Sequence, residues 1–244
     1  MYEFTHKVRQ AFHLLGFDLR YYQDSEESIV GKLLACSKPV AVLDVGANTG
    51  HYARMLRSIG YGGVIVSFEP LRTAHAKLVA RARGNGRWIV APRVALGSTK
   101  GSIDINVAGN SVSSSILAMN ETHLAAAPKS RYVATETVAL ERLDELLPTI
   151  FSSPGSLLLK MDTQGYEAEV LKGAEAILPR VTAIQMEISL VPLYGQTATL
   201  MQTLSVMKEL GFELFQVIPG FQDGASGQLL QLDGIFVRQL PSAT

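Results

Sequence analysis

The stretch Ala41-Val-Leu-Asp-Val-Gly-Ala-Asn-Thr-Gly50 constrains this chain more than any other. An apolar run ends in a carboxylate, breaks into glycines and passes into a helical pattern. Val40 to Val45 is β-branched and almost continuously hydrophobic, the composition of a strand buried on both faces of a parallel sheet. Gly46 and Gly50 lack the Cβ atoms that would hold a ligand away from the backbone, and the amides of a helix opening near His51 face the same space. The pattern predicts a site for a nucleotide-type cofactor.

Two cofactor classes use such a turn. A dinucleotide calls for G-x-G-x-x-G and an acidic residue about 20 positions later. Here Asn48 stands where the second glycine belongs, and Asp44 places a carboxylate beside the turn, where it repels a diphosphate. S-adenosylmethionine carries an ammonium and a sulfonium and no phosphate, so Asp44 favours the methyl donor. The next apolar run, Val64 to Glu69, ends in a second carboxylate 25 positions after Asp44, placed to accept both ribose hydroxyls. The plainer alternative is a tight strand-to-helix connection, with Asp44 structural and Glu69 ending its strand before Pro70.

Composition narrows the partners. A chain of 244 residues with 47% hydrophobic content can bury one large core, and 22 basic against 22 acidic residues leave no net charge for nucleic acid. The basic run Arg72, Lys77, Arg81, Arg83 and Arg87 reads as a solvated helix face. The single cysteine, Cys36, reads as packing and suits a reducing compartment. No signal peptide opens the sequence, and no apolar run approaches the roughly 20 residues of a membrane span. We therefore expect a cytoplasmic protein with no nucleic-acid partner and no membrane span; homo-oligomer formation stays open.

Periodicity predicts helices over 3–16, with Phe4, Val8, Phe12 and Leu15 on one stripe, and over 25–36, then from about 51, over 73–83, 166–178 and 197–210. Strands are predicted over 40–45, 64–69, 87–94, 157–161, 183–186, 212–218 and 234–238, with added strands over 101–107 and 131–140. This alternation implies an α/β, doubly wound, mostly parallel seven-stranded Rossmann-like sheet with amino-terminal helices and an added β insertion. We read 1–38 as a helical cap and 39–240 as the cofactor-binding domain.

Leu158-Leu-Lys-Met-Asp-Thr-Gln-Gly-Tyr-Glu-Ala-Glu-Val-Leu-Lys-Gly-Ala174 resembles the K-[IM]-D-x-[EQ]-G-x-E-x-x-V-L-x-G-A signature of the FkbM family of methyltransferases. Asp44 to Gly50, Phe68-Glu-Pro70, Ala95-Leu-Gly97, Ser113-Ser-Ser115, Val138, Leu143-Asp144 and Glu187 extend the resemblance over about residues 40–238. It implies S-adenosylmethionine-dependent methylation of a hydroxyl oxygen on a small acceptor such as a sugar, glycolipid or secondary metabolite. It places Asp44, Gly46, Asn48 and Gly50 around the methionine end, Glu69 on the ribose, and Val94, Ala95 and Asp162 along the cofactor. Arg93 stands where the family usually has asparagine, and we read it as facing solvent.

Methyl transfer is an in-line displacement, so positioning supplies much of the rate, and an alcohol must also lose its proton. Asp162 and Glu187 close successive predicted strands on the cofactor face. They are the candidate catalytic carboxylates, with His51 as a further base. We assign no metal ligand; a Mg²⁺ held between the two carboxylates is the alternative. Ser114, Ser115 and His123, in the insertion 110–129, are the candidate acceptor contacts. The competing readings are a non-catalytic cofactor-binding domain and a nicotinamide-dependent oxidoreductase.

Overall fold

The apolar runs become the centre of a sheet. The computed structural model describes residues 12, 14–15, 25–109, 113–120, 126–195 and 197–238. In chain order its elements are α1 (Glu26–Ser37), β1 (Ala41–Val45), α2 (His51–Ser58), β2 (Val64–Phe68), α3 (Arg72–Ala82), β3 (Trp88–Val90), β4 (Val94–Leu96) and β5 (Gly101–Ala108). There follow β6 (Tyr132–Glu141), α4 (Leu143–Ile150), β7 (Leu157–Met161), α5 (Glu167–Lys172), β8 (Val181–Ser189), α6 (Leu200–Glu209), β9 (Phe212–Pro219) and β10 (Gln231–Arg238).

Seven strands form one sheet in the order β3-β2-β1-β7-β8-β10-β9, parallel except that β10 runs antiparallel to both neighbours. The remaining three form a small separate sheet, β4-β6-β5. Alternation sorts the large sheet's side chains into two cores. Leu43, Val45, Phe68, Leu159 and Met186 pack beneath α4, α5 and α6. On the other face Val42, Ile65, Leu158 and Ala183 meet Ile29, Val30 and Leu33 of α1 and Tyr52, Ala53 and Leu56 of α2. This is the doubly wound architecture expected, with helices covering both faces. The α1 helix starts at Ser25, whose hydroxyl accepts the Ser28 amide at 3.2 Å, as an N-cap serine does.

Several local expectations change. The strand read over 87–94 is two, because Pro92 interrupts it: β3 joins the large sheet and β4 crosses to the small one. The helix read over 166–178 is α5 followed by a 3-10 segment, Glu175–Arg180. Helix α4, which carries Pro148 inside it, lies outside the predicted elements. Of the amino-terminal stripe, Phe4 and Val8 lie outside the described residues, while Phe12 and Leu15 are exposed rather than packed. Cys36 is likewise exposed, on a turn of α1 that faces away from the sheet. No helix among the described residues is long and apolar enough to cross a membrane.

Candidate active site

The first turn folds as its glycines require, though for a different reason from the one the sequence suggested. Gly46 (φ +77°) and Gly50 (φ +86°) lie in the left-handed region. A Cβ on Gly46 would stand 1.9 Å from the Asp162 carbonyl oxygen, and one on Gly50 would stand 2.7 Å from the Trp88 ring. These glycines admit neighbouring chain first. Gly46 also lines the cofactor cleft, whereas Gly50 does not. Between them Asn48 takes φ +47°, which asparagine tolerates better than most residues, and its amide donates to Glu69 Oε2 at 2.7 Å.

Asp44 is placed otherwise than the sequence implied. Strand alternation turns it away from the cleft, onto the face beneath α1 and α2, where it is fully buried. There Ser67, Asp44, Lys160 and Gln185 occupy one row across four adjacent strands. Ser67 Oγ donates to Asp44 Oδ2 at 3.3 Å, while Asp44 Oδ1 has no hydrogen-bond partner. The Lys160 ammonium stands 3.6 Å from Asp44 Oδ1 and 3.4 Å from Asp162 Oδ2, over the Tyr52 ring at 5.4 Å. Burial lifts the Asp44 carboxyl above its ordinary range, and Lys160 only partly pulls it back. Burial would lower the lysine, yet Asp162 and Asp44 more than offset that and hold it raised, so it stays charged. The sequence reading passed over Lys160; its one signal was a lysine inside an otherwise apolar strand.

From this buried cation the geometry leads out to Asp162 and Glu187, the two carboxylates expected to be catalytic. Gln164, at φ +54°, donates its side-chain amide to Asp162 Oδ1 at 2.8 Å and to Glu187 Oε2 at 2.9 Å, and its carbonyl accepts Tyr194 Oη at 2.5 Å. One amide thus fixes the two carboxylates relative to each other. Burial, joined by the charges of Asp162 and Glu167, lifts the Glu187 carboxyl well above the ordinary carboxylate range. Asp162 does not cap the following helix. Among the described residues no side chain caps that helix; Glu167, its first residue, instead folds back on the preceding loop, accepting the Thr163 amide at 2.8 Å and the Gly165 amide at 3.3 Å. Among the described residues no group of three or more His, Cys, Asp or Glu side chains is arranged to hold a metal ion, and the Gln164 amide lies between the pair offered to Mg²⁺.

The cleft itself, about 720 Å³ including its open mouth, is shared between the two sheets. Gly46, Asn48, Glu69 and Asp162 come from the strand ends of the large sheet; Val94, Ala95, Ile105 and Ser114 to Ile116 come from the small sheet and its loop. Among the described residues its charged lining is Glu69 and Asp162, with no lysine, arginine or histidine. That charge suits a sulfonium and an ammonium and opposes a diphosphate, so the choice between cofactors now rests on the cleft rather than on Asp44.

The other expected residues are dispersed. His51 is exposed on the first turn of α2 and does not line the cleft. His123 lies outside the described residues. Ser114 and Ser115 line the cleft, but their hydroxyls serve the chain: Ser114 accepts the Ala108 amide at 2.9 Å, and Ser115 donates to the Gln164 carbonyl at 2.7 Å. Arg93 does not simply face solvent; it pairs with Glu136 at 3.3 Å and donates to the Pro70 carbonyl, tying the small sheet to the loop after β2.

Glu69 fits a ribose. Its Oε1 and Oε2 accept the amides of Leu71 and Asn48 at 2.8 and 2.7 Å, leaving a second lone pair on each oxygen for a hydroxyl. Burial pushes this carboxyl up to about 7 against the pull of those two amides. A group raised in the fold gives stability that is present at low pH and lost as pH rises through about 7. A ribose favours the ionised form, so cofactor affinity runs the opposite way. The dissociation constant of S-adenosylhomocysteine is expected to fall roughly tenfold per pH unit on approaching neutrality from below, then level off. Calorimetric titrations across this range check it, and a flat profile would remove Glu69 from ribose recognition.

The sheet order, with its antiparallel strand next to the edge, and a carboxylate-lined cleft over the strand ends match the class I S-adenosylmethionine-dependent methyltransferase architecture. A family model, the methyltransferase FkbM domain, matches residues 44–214, and the chain belongs to that family. Methyl transfer from S-adenosylmethionine to a small-molecule acceptor is the activity this membership carries. Among solved structures the chain is similar to magnesium protoporphyrin IX methyltransferase from Synechocystis PCC 6803 (8% identity, 96% of each chain covered, TM-score 0.46). It is also similar to an S-adenosylmethionine-dependent methyltransferase from Clostridium acetobutylicum (7% identity, 98% of each chain covered, TM-score 0.47). No curated protein matches in sequence.

Proposed function

We propose that the protein methylates a hydroxyl oxygen of its acceptor, with Asp162 and Glu187 receiving the proton as a pair. The observation that carries this reading is the shared Gln164 amide, which joins Asp162 in the cofactor cleft to Glu187 in the adjoining groove. Burial and the neighbouring Asp162 charge make Glu187 resist ionisation, and a single arriving proton relieves that repulsion. The pair therefore takes up a proton more readily than an isolated carboxylate, as an alcohol losing its proton requires. Glu69 orients the cofactor ribose, and Gly46 and Asn48 bound the methionine end. S-adenosylmethionine supplies the electrophilic methyl group. Asp162 accepts the hydroxyl hydrogen bond, aims the oxygen lone pair along the line of displacement, and takes the proton as the new bond forms. His51, exposed and outside the cleft, has no part in this scheme. Residues 1–38 act as a cap through α1, which covers the buried polar row.

Incubation with S-adenosylmethionine and a panel of neutral alcohols, read by mass spectrometry, is expected to yield the methyl ether and S-adenosylhomocysteine together. Methyl groups found on nitrogen, sulfur or carbon would overturn the reading. So would cofactor binding without turnover on any acceptor, which is the behaviour of a binding domain.

A further inference from the structure

A second concavity, about 1050 Å³ including the space open to solvent, adjoins the carboxylate pair. It runs between α5 and its 3-10 extension on one side and α6 on the other, above β8. Its two ends differ in kind. Glu187, Gly165 and Thr197 stand at the end next to the cofactor cleft, where the segment 162–167 forms a wall common to both: Asp162 and Gln164 line the cleft, Gly165 and Glu167 the groove. Leu178, Met207 and Leu210 stand at the other end, where the one further carboxylate among the described residues, Glu175 of the 3-10 segment, is exposed to solvent. That end is fastened by Arg238, which donates to the carbonyls of Leu178, Leu210 and Val181. Thr203, Val206 and Met207 of α6 and its C-cap Leu210 form one stripe along the groove, covering about 10 Å of helix axis. The site is elongated, apolar at one end and acidic at the other.

We infer that the acceptor is a neutral amphiphile whose hydroxylated head meets Asp162 and Glu187 and whose aliphatic chain lies between α5 and α6. The inference rests on the O-methylation reading for the head and on the groove for the chain. A head without charge follows from the electrostatics. Glu167 and Glu187 line that end, and the one cation on the groove among the described residues, Lys172, is already paired with Glu169 at 2.6 Å. An anionic head would meet two carboxylates and no available counter-charge. A chain of methylenes matches a long slot whose far half is leucine and methionine, and each methylene withdrawn from water strengthens binding about fourfold.

The test uses n-octyl β-D-glucoside below its micelle-forming concentration, methyl β-D-glucoside as the same head without the chain, and octyl sulfate as the same chain on an anion. Each is titrated into protein saturated with S-adenosylhomocysteine. Octyl glucoside is expected to bind at least about tenfold more tightly than either of the others. Val206→Trp and Ala168→Trp place an indole in the slot from opposite helices at exposed positions, and each is expected to erase the gain from the chain while S-adenosylhomocysteine affinity and the circular dichroism spectrum stay unchanged. Equal affinity for the two glucosides overturns the inference, as does a chain-dependent gain that survives both variants. Octyl sulfate binding as well as octyl glucoside overturns the neutral head. Chain-dependent binding abolished by both variants, in a protein that methylates no alcohol, leaves the groove assigned and removes the O-methylation reading instead.

Discussion

Replacing Lys160 with methionine is expected to destabilise the protein by about 3–5 kcal/mol at neutral pH, the cost of stranding one member of a buried ion pair. Lys160 is 7% exposed, and the Asp44 carboxylate it faces is fully buried with one oxygen lacking any hydrogen bond. Methionine keeps the stem of the side chain over Tyr52 and deletes only the charge. Asp44, already raised by burial, then rises further and takes up a proton in the folded state. A carboxyl raised in the fold gives stability that is lost as pH increases through its folded value. The gap between the variant and the parent should therefore narrow as pH falls. Urea unfolding at several pH values measures this. Adding Asp44→Asn to Lys160→Met should recover much of the loss, because the uncompensated charge is gone. A double variant no more stable than Lys160→Met alone would show that the lysine acts through packing and not through Asp44.

Asp162→Asn is expected to depress turnover by about 10²-fold or more, the usual weight of acid–base assistance, while S-adenosylhomocysteine still binds. Asparagine retains an oxygen to accept the Gln164 amide 2.8 Å away, so the loop from Thr163 to Glu167 keeps its anchor. What is lost is one of the two charges that draw the acceptor's proton. The loss should therefore fall on kcat, with KM for the alcohol little changed. Single-turnover methyl transfer with the cofactor bound separates chemistry from product release. Full activity in the asparagine variant would exclude Asp162 as the proton acceptor and leave Glu187 to act alone.

The fold was readable wherever burial writes a period. The apolar runs at 40–45 and 157–161 became adjacent central strands, because parallel strands covered on both faces tolerate little polarity. That same continuity hid the faces. An unbroken run cannot say which side each residue takes, so Asp44 was read as facing the cofactor when alternation had turned it beneath α2. Lys160 was missed on the same ground, since one lysine in a motif looks like any solvated lysine until its carboxylates are seen. Pro92 moved β4 into another sheet, a choice made by pairing partners far away in sequence. Gln164 carries a backbone conformation rare for its residue type and three side-chain bonds, and no spacing rule announces either. Glu69 stood out in the sequence because it ends a strand next to the first turn, where an acid has a restricted set of uses, and its carboxylate does meet that turn at the Asn48 amide.

The division of the cofactor cleft between two sheets has a mechanical meaning. The large sheet holds Glu69 and Asp162, and the small sheet holds the opposing wall, from Val94 to Leu96 and at Ile105. Arg93 and Glu136, paired within the small sheet, reach across to the Pro70 carbonyl and the Arg72 amide, and these partly exposed bonds add little to the joint. A ligand spanning the gap adds its own binding free energy to that joint, about 2.7 kcal/mol at a hundredfold excess over its dissociation constant. The cofactor is then a strut as well as a reagent, and the stiffness of the catalytic end of the molecule follows the local supply of methyl donor.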